Sequence, residues 1–497
     1  MFAKTSQLKE RQPIITPCFT QIMMENKIRK YQMLLAAGLL LVYLLSGFGV
    51  TISNDALTNI EQITKMDLWH RSSHFGFHFL GILSFALFKL IGINDAITST
   101  QFMLSLVSVT GVVALFRIVV LWRKDLNLAL IVALIYGLSS NVWRFSVQNE
   151  YHVLVPAISL VAIALWLHGK QLLGSMFLGL AILTSPFAIF SLPLVLIQEN
   201  KLNWRAIFKT IAGLVLVVGA VGIFTYKETL QGEWSYDFVF QYYVNTLKIT
   251  NPIRVLSIWF YGYLRAFHVF ILLLIIFLIK YRKSEKRLLL ICLLGLIIHL
   301  PLALPETRYG AYQMTFYPLL AIVFGLVLQK LRQLNRTYFI IPAGLFILLS
   351  SFIVLEERGF QRSLRDSYVQ MQNDSSIADS SIVFMYKATR PLSIKYAPRL
   401  EGVSVYSGYQ EILVNNLIDQ GLPKYEELIR SDKQVYLIES GVSLPDDYLK
   451  ELFTKFTKNQ GAKLKGIGIK KMKQICPQAT FEEVPGYSIT LFRVNCD

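Results

Sequence analysis

The sequence predicts a mainly α-helical, polytopic membrane bundle of about eleven spans followed by a small C-terminal α/β domain. Three observations carry this. Of 497 residues, 54% are hydrophobic and 16% charged, with a mean hydropathy of +0.47. A water-soluble chain of this length needs more charge to cover its surface. Apolar runs of roughly bilayer length recur between residues 33 and 355. Beyond 355 the pattern changes to short alternating segments.

The runs fall in order along the chain. Met33–Ile52, Phe102–Trp122, Ala206–Tyr226, Val255–Leu278, Leu288–Leu304, Met314–Leu328 and Tyr338–Leu355 are the long ones. Leu128–Ser140, Val153–Leu167, Leu172–Thr184 and Pro186–Ile197 are shorter, a length that neighbouring helices can shield. Met33–Ile52 reads as a signal anchor, because no small-residue cleavage site follows it. Four cysteines are too few for a disulfide scaffold or a cysteine-rich metal site.

The formal charge of +17 is explained by orientation rather than by nucleic acid. If Phe75–Gly92 lies along the membrane surface, Lys27, Arg29, Lys30, Arg123, Lys124, Lys170, Lys201, Arg205, the run 280–287 and Lys330, Arg332 and Arg336 all face the cytoplasm. If it spans, the strongest basic clusters end outside. The surface reading therefore holds. It makes 1–32 a cytoplasmic tail and 33–355 the membrane domain. The segments Ser53–Gln101, Asn141–His152, Lys227–Arg254 and Pro305–Gln313 and the domain 356–497 lie on the outer side, in a bacterial inner membrane or endoplasmic reticulum. Arg144 and Arg308 read as scattered cations of the outer loops.

In 356–497, Ile382–Tyr386, Val403–Tyr406 and Val435–Ile438 read as strands. Tyr409–Gln420, Lys424–Arg430 and Tyr448–Lys458 read as amphipathic helices. Thr480–Val484 and Ser488–Val494 flank a Pro485-Gly486 turn signal. A hairpin centred there brings Cys476 beside Cys496 or its neighbour, where an oxidising compartment would allow a disulfide; two free thiols are the alternative.

Ionisable groups at membrane level are costly and mark functional candidates. Asp55, just after the first span, suits a general base, a divalent-cation ligand or a helix N-cap. His70, His74 and His78 are spaced four apart, a pattern that suits zinc on one helical face. Gly76 and the pair Ser72-Ser73 start the helix near Ser73, however, and detach His70. Contact of one histidine with a phosphate or an acid fits better, and His70 and His78 read as interfacial side chains. Glu150, flanked by Tyr151 and His152, opens the fourth span as an acid at the bundle mouth or as a complement to the helix dipole. Arg308 and Tyr309 occupy a short outer loop. The planar fork of Arg308 suits a phosphate, or a pairing with Glu306 or Asp55. Walker A, Rossmann, His-Glu-x-x-His and Gly-x-Ser-x-Gly patterns are absent from the sequence.

Together these motifs resemble the GT-C superfamily of polyprenyl-phosphate-sugar-dependent glycosyltransferases, in particular the branch related to protein O-mannosyltransferases. Asp55 matches the acidic motif of the first outer loop, and His74 with Phe75-Gly76 stands where that branch has His-Pro-Pro. Asn149-Glu150-Tyr151 matches a later Ala-Glu-x-Tyr-like motif. Arg308-Tyr309 followed by Pro318-Leu319-Leu320 matches an Arg-Tyr…Pro segment. The resemblance spans Met33 to Leu355 and departs from the family in lacking the prolines after His74. It implies Asp55 as the base, Arg308 with Tyr309 on the lipid phosphate, and Glu150, Tyr151 and His74 orienting donor or acceptor. Its implied partners are a lipid-linked sugar donor, membrane lipid, and a protein, lipid or glycan acceptor. No cofactor is assigned beyond the cation option at the carboxylates. A polysaccharide polymerase, ligase or transporter and a catalytically inactive membrane subunit stay open as alternatives.

Overall fold

A computed structural model describes residues 17–47, 49, 54–68, 74–197, 212–219, 252–281, 283–299, 311–374, 377, 381–386, 401–406, 434–438, 473, 476–485 and 491–495. Its helices are α1 (Pro17–Leu45), α2 (Asn54–Thr64), α3 (Phe75–Leu90), α4 (Ala96–Arg123), α5 (Leu126–Gly137), α6 (Ser140–Ser146), α7 (Leu154–Leu167), α8 (Gln171–Thr184), α9 (Pro252–Phe267), α10 (Ile271–Lys280), α11 (Lys286–His299), α12 (Tyr317–Leu334) and α13 (Arg336–Asn373). Tyr151–Val153, Pro186–Ile197, His268–Phe270 and Tyr312–Thr315 are 3₁₀ segments.

Among the described residues, five helical stretches are long and apolar enough to cross a bilayer, or six if the bent pair α5–α6 counts as one span. They carry outward-facing Leu34, Leu41, Leu272, Ile275, Leu348 and Phe352, a surface suited to lipid rather than water. Phe75–Leu90, Tyr151–Leu167 and Gln171–Thr184 are apolar but shorter. At 16 residues, α3 is about 24 Å long against a hydrocarbon core of about 30 Å. The run Pro186–Ile197 forms a 3₁₀ helix rather than an α-helical span, with Pro193 inside it; proline removes a donor and crowds the preceding turn. Of Ala206–Tyr226, only 212–219 are described.

Two boundaries differ from the sequence reading. Helix α1 starts at Pro17, within the stretch expected to be a polar tail. Helix α13 does not stop at Leu355 but runs to Asn373, so the chain leaves the apolar stretch as a continuous rod. Its N-terminus is capped by the Asn335 side chain, which accepts from the Thr337 N–H at 2.9 Å.

Helices α4 and α7 approach closely because Gly111 faces the Ala157 backbone. A Cβ at Gly111 would lie 2.6 Å from the Ala157 Cα. Small residues permit such backbone contact where lipid supplies no hydrophobic drive. Between α4 and α5 the chain turns on Lys124, whose φ of 54° is left-handed. Asp125 then caps α5 and accepts from Asn127 N (2.9 Å), Leu128 N (3.0 Å) and the Gln329 amide of α12 (2.5 Å).

Residues 381–495 contribute a five-stranded sheet of order β2-β1-β3-β5-β4, with β1 Ser381–Tyr386, β2 Glu401–Tyr406, β3 Gln434–Ile438, β4 Thr480–Val484 and β5 Leu491–Asn495. β1 is parallel to both β2 and β3; β5 is antiparallel to β3 and β4. All five expected strands occur. The expected helices 409–420, 424–430 and 448–458 lie outside the described residues. The hairpin register differs from expectation. Val484 pairs Leu491 and Thr480 pairs Asn495, so the turn centres between residues 487 and 488 rather than on Pro485-Gly486. Cys476 is nevertheless disulfide-bonded. It sits in a turn closed by Ala479 N to its carbonyl at 3.1 Å, which lifts it out of strand register. Cys496 lies outside the described residues.

Burial pushes the Asp125 carboxyl up, but the N–H of Leu128, the Gln329 amide and the N–H of Asn127 outweigh it and hold the pKa below the ordinary aspartate value. A depressed carboxyl stabilises above its unfolded pKa and loses that contribution as pH falls through the folded value. Asp125→Ala is therefore expected to destabilise the protein by roughly 1 kcal/mol at neutral pH. Thermal unfolding in detergent should find the difference from wild type shrinking as pH is lowered below 4, roughly the unperturbed aspartate pKa.

Candidate functional site

The stretch expected as an outer loop, Asn141–His152, is instead buried. After Gly137 the chain bends by 65° into α6, and every residue from Ser140 to His152 is nearly inaccessible. Polar contacts hold α6 down. The Trp143 indole donates to Ser46 Oγ at 2.7 Å, Ser105 Oγ donates to the Ser146 carbonyl at 2.9 Å, and Ser146 Oγ bonds Ser108 Oγ at 2.6 Å.

Arg144 is accordingly not a scattered loop cation. Its Nη2 lies 2.5 Å from Glu357 Oε1, and Arg265 Nη2 lies 3.0 Å from Glu357 Oε2. One carboxylate thus bridges guanidinium groups from α6 and α9. Glu357 is 1% exposed; it lies on α13 just past the point where the sequence reading ended the last span. Arg144 Nε also donates to Gln148 Oε1 at 3.0 Å, which ties down the segment leading to Glu150.

Beyond α6, Glu150 Oε2 lies 3.3 Å from His152 Nε2, and both side chains are buried. Tyr151 stacks on His74 with ring centroids 3.9 Å apart and planes at 26°. Its ring also meets His152 at 4.3 Å. His74 is held from behind by a 3.2 Å contact between Nδ1 and the Thr184 carbonyl. A carbonyl only accepts, so Nδ1 carries the proton, and in the neutral ring the lone pair sits on Nε2. The next turn of α3 fixes this placement. A Cβ on Gly76 would fall 2.1 Å from Thr184 Oγ1 and 3.0 Å from the Leu180 carbonyl. Glycine at this position is thus what lets α3 seat on the end of α8.

His78 is fully buried, and its Nε2 bonds Asn59 Oδ1 at 3.1 Å; it is a packing contact between α2 and α3. Asp55 is in the first turn of α2, one turn before Asn59. The loop before it is pinned by α13, where Arg358 donates to the Leu45 carbonyl at 3.1 Å and Arg362 to the Gly47 carbonyl at 3.4 Å. Cations at a helix C-terminus also complement its dipole. The side chain of Asp55, and His70, Arg308 and Tyr309 altogether, lie outside what is described. The turn Tyr312–Thr315 that follows Arg308 packs against Tyr151–Val153. There Gln313 is 1% exposed, and Thr315 Oγ1 meets His299 Nε2 at 2.7 Å.

The structure therefore brings His74, Glu150 and Tyr151 into one cluster. Three groups escaped the sequence reading: the Arg144–Glu357–Arg265 triad, the His299–Thr315 pair and Asn149. The Asn149 side chain is wholly buried with neither amide atom hydrogen-bonded. A polar residue flanking a candidate acid was its only sequence signal. Among the described residues no group of three His, Cys, Asp or Glu side chains could hold a metal ion.

No family model matches the chain, and no curated protein matches it by sequence. Solved structures do. ArnT from Cupriavidus metallidurans bound to undecaprenyl phosphate aligns at a TM-score of 0.55 and 12% identity, over 93% of this chain and 97% of that one. Its apo state aligns at 0.54 and 11%, with the same coverage. An Archaeoglobus fulgidus oligosaccharyltransferase tethered to an acceptor peptide aligns at 0.45 and 10%, over 94% and 74%. The mainly helical fold expected from the GT-C resemblance is shared with ArnT, and the apolar helices mark an integral membrane protein.

Glu357 bridges the two buried guanidinium groups of Arg144 and Arg265. Glu357→Ala is expected to cost about 3–5 kcal/mol, since it leaves buried charge uncompensated. The check is thermal unfolding of purified protein in detergent, with Arg365→Ala, at an exposed pair with Asp366, changing stability by less than about 1 kcal/mol.

Proposed function

We propose that this chain is a membrane glycosyltransferase that moves a sugar from a polyprenyl-phosphate donor to an acceptor hydroxyl on the outer face of the membrane. The observation that carries the reading is the His74–Tyr151 stack at 3.9 Å. It joins the histidine motif of the first outer loop to the acidic motif around Glu150, the two motifs on which the GT-C resemblance chiefly rests. The fold shared with ArnT, whose structure holds undecaprenyl phosphate, supports a lipid-linked donor.

In this reading Asp55 takes the proton of the acceptor hydroxyl. The acceptor oxygen bonds to the anomeric carbon with inversion while the bond from that carbon to the phosphate oxygen breaks. The electron pair leaves on the polyprenyl phosphate, and Arg308 and Tyr309 bind the charge that grows there. Glu150, Tyr151 and His74 orient donor or acceptor. The low exposure of Glu150 and His152 supports a positioning role in a dry site, where a fixed hydrogen bond is stronger than in water. The soluble residues beyond α13 sit on the same face and gate or recognise the acceptor.

Membranes carrying the protein, supplied with a labelled polyprenyl-phosphate sugar, test the mechanism. Asp55→Asn is expected to lower transfer by about 10²–10⁴-fold, and Arg308→Ala by about 10²–10³-fold, with expression unchanged. Full transfer by both variants would sink the assignment. Asn149→Ala is expected to raise KM or lower kcat by about tenfold, the worth of one hydrogen bond to a ligand. Unchanged kinetics would make its unpaired amide structural.

A further inference from the structure

Far from this cluster along α1 and α4, the N-terminal part of α1 and the α4–α5 junction enclose an open cavity of about 600 Å³. Its walls are of two kinds. Met23, Met24 and Leu126 are apolar, and Lys27, Arg123 and Lys124 are cationic, with Asp125 between them. The apolar run of α1 begins at Met33, just past Lys27, Arg29 and Lys30, and that of α4 ends at Trp122, just before Arg123 and Lys124. Both helices therefore reach the membrane boundary here, and the cavity lies level with lipid headgroups.

The charged groups divide by what they already do. Arg123 is engaged: its guanidinium sits 3.9 Å over the Trp122 ring and pairs with Glu285 at 2.5 Å. Asp125 accepts from two backbone N–H groups and the Gln329 amide, which leaves its charge spread over three donors. Lys27 and Lys124 are exposed and form no ion pair among the described residues. Lys124 also occupies a left-handed position, φ 54°, at the end of α4. Glycine normally fills such a site because an L side chain is strained there. A lysine held at this position against its backbone preference points to use of the side chain. The two methionines opposite are 59% and 41% exposed. They are flexible apolar side chains that conform to irregular partners.

We infer that this cavity binds an anionic phospholipid of the adjacent leaflet. Lys27 and Lys124 contact the headgroup phosphate, and Met23, Met24 and Leu126 cover its glycerol and first acyl carbons. Basic pockets between membrane helices take anionic headgroups by this combination of charge and apolar wall. The leaflet is the cytoplasmic one in the orientation argued from the basic loops. The inference rests on the chain spanning a membrane and not on sugar transfer, so it stands or falls separately from the proposed enzyme activity.

Native mass spectrometry of the purified full chain in detergent, titrated with phosphatidylglycerol or phosphatidylcholine, tests it. Wild type should retain phosphatidylglycerol in preference to phosphatidylcholine. The double variant Lys27→Gln, Lys124→Gln should bind it about thirtyfold more weakly, the effect of two surface cations. Lys330→Gln, outside the cavity, should bind as wild type does. Millimolar inorganic phosphate should not displace the lipid. Equal retention by the double variant, equal binding of phosphatidylcholine, or displacement by inorganic phosphate would each overturn the assignment. An unchanged Tm of the double variant in lipid-free detergent identifies lost binding as lost contact; if the Tm drops, the single variants at Lys27 and Lys124 are compared instead, each expected about fivefold weaker.

Discussion

Glu357, with a guanidinium on each carboxylate oxygen, is the constraint on which the packing of α6, α9 and α13 depends. Three charges at about 1–5% exposure are tolerated only when their geometry is satisfied on every side, because the cost of removing them from water is recovered only through close pairing. That requirement has structural consequences. Helix α6 must bend by 65° from α5 to deliver Arg144. Helix α9 must present Arg265 at the same depth. Helix α13 must continue past the apolar stretch to place Glu357 between them. The same rod, one and five residues further on, offers Arg358 to the Leu45 carbonyl that ends α1 and Arg362 to the Gly47 carbonyl just beyond it. The triad thus holds both approaches to the candidate site, the segment leading to Glu150 and the loop leading to α2.

The candidate site follows from this frame by short steps. Arg144 holds Gln148, and two residues later Glu150 meets His152 in a buried pair. Tyr151 then turns its ring onto His74. His74 reaches that ring because Gly76 lets α3 lie against the end of α8, where the Thr184 carbonyl accepts from the Nδ1–H. Where the branch it resembles carries prolines after the histidine, this chain carries Phe75-Gly76. Glycine solves a packing problem here, since any Cβ would strike Thr184. The departure from the family pattern is therefore compatible with an intact histidine placement.

Much of the architecture was legible because its causes are local. Apolar runs found the helices, and strand alternation found all five strands to within three residues. The motifs around His74 and Glu150 were found by type and order. What failed was non-local. Asn141–His152 read as a loop because Asn, Arg, Ser and Gln are frequent there. Trp143, Ser146, Ser140 and Arg144 instead meet partners at Ser46 and in α4, α9 and α13, all distant in sequence. Arg144 looked like a scattered surface cation for the same reason. The β4–β5 turn was placed on the strongest local signal, Pro485-Gly486, whereas the pairing of β5 with β3 as well as β4 sets the register. Asn149 signalled only as the flank of Glu150, because an unpaired amide is visible only once its surroundings are known.

By itself the sequence determined that the chain is a membrane bundle with a strand-bearing C-terminal region, and which motifs, around His74 and Glu150, carry candidate chemistry. Those properties depend on composition and short-range periodicity, which each segment carries alone. Only the tertiary structure decided that Arg144, Arg265 and Glu357 form one buried unit, that α13 is a rod rather than a span with a tail, and that His74 meets Tyr151. Each of these is a contact between residues far apart in the chain. The free energy of burying a charge or a polar ring is defined by the partner that meets it, and no single segment contains both.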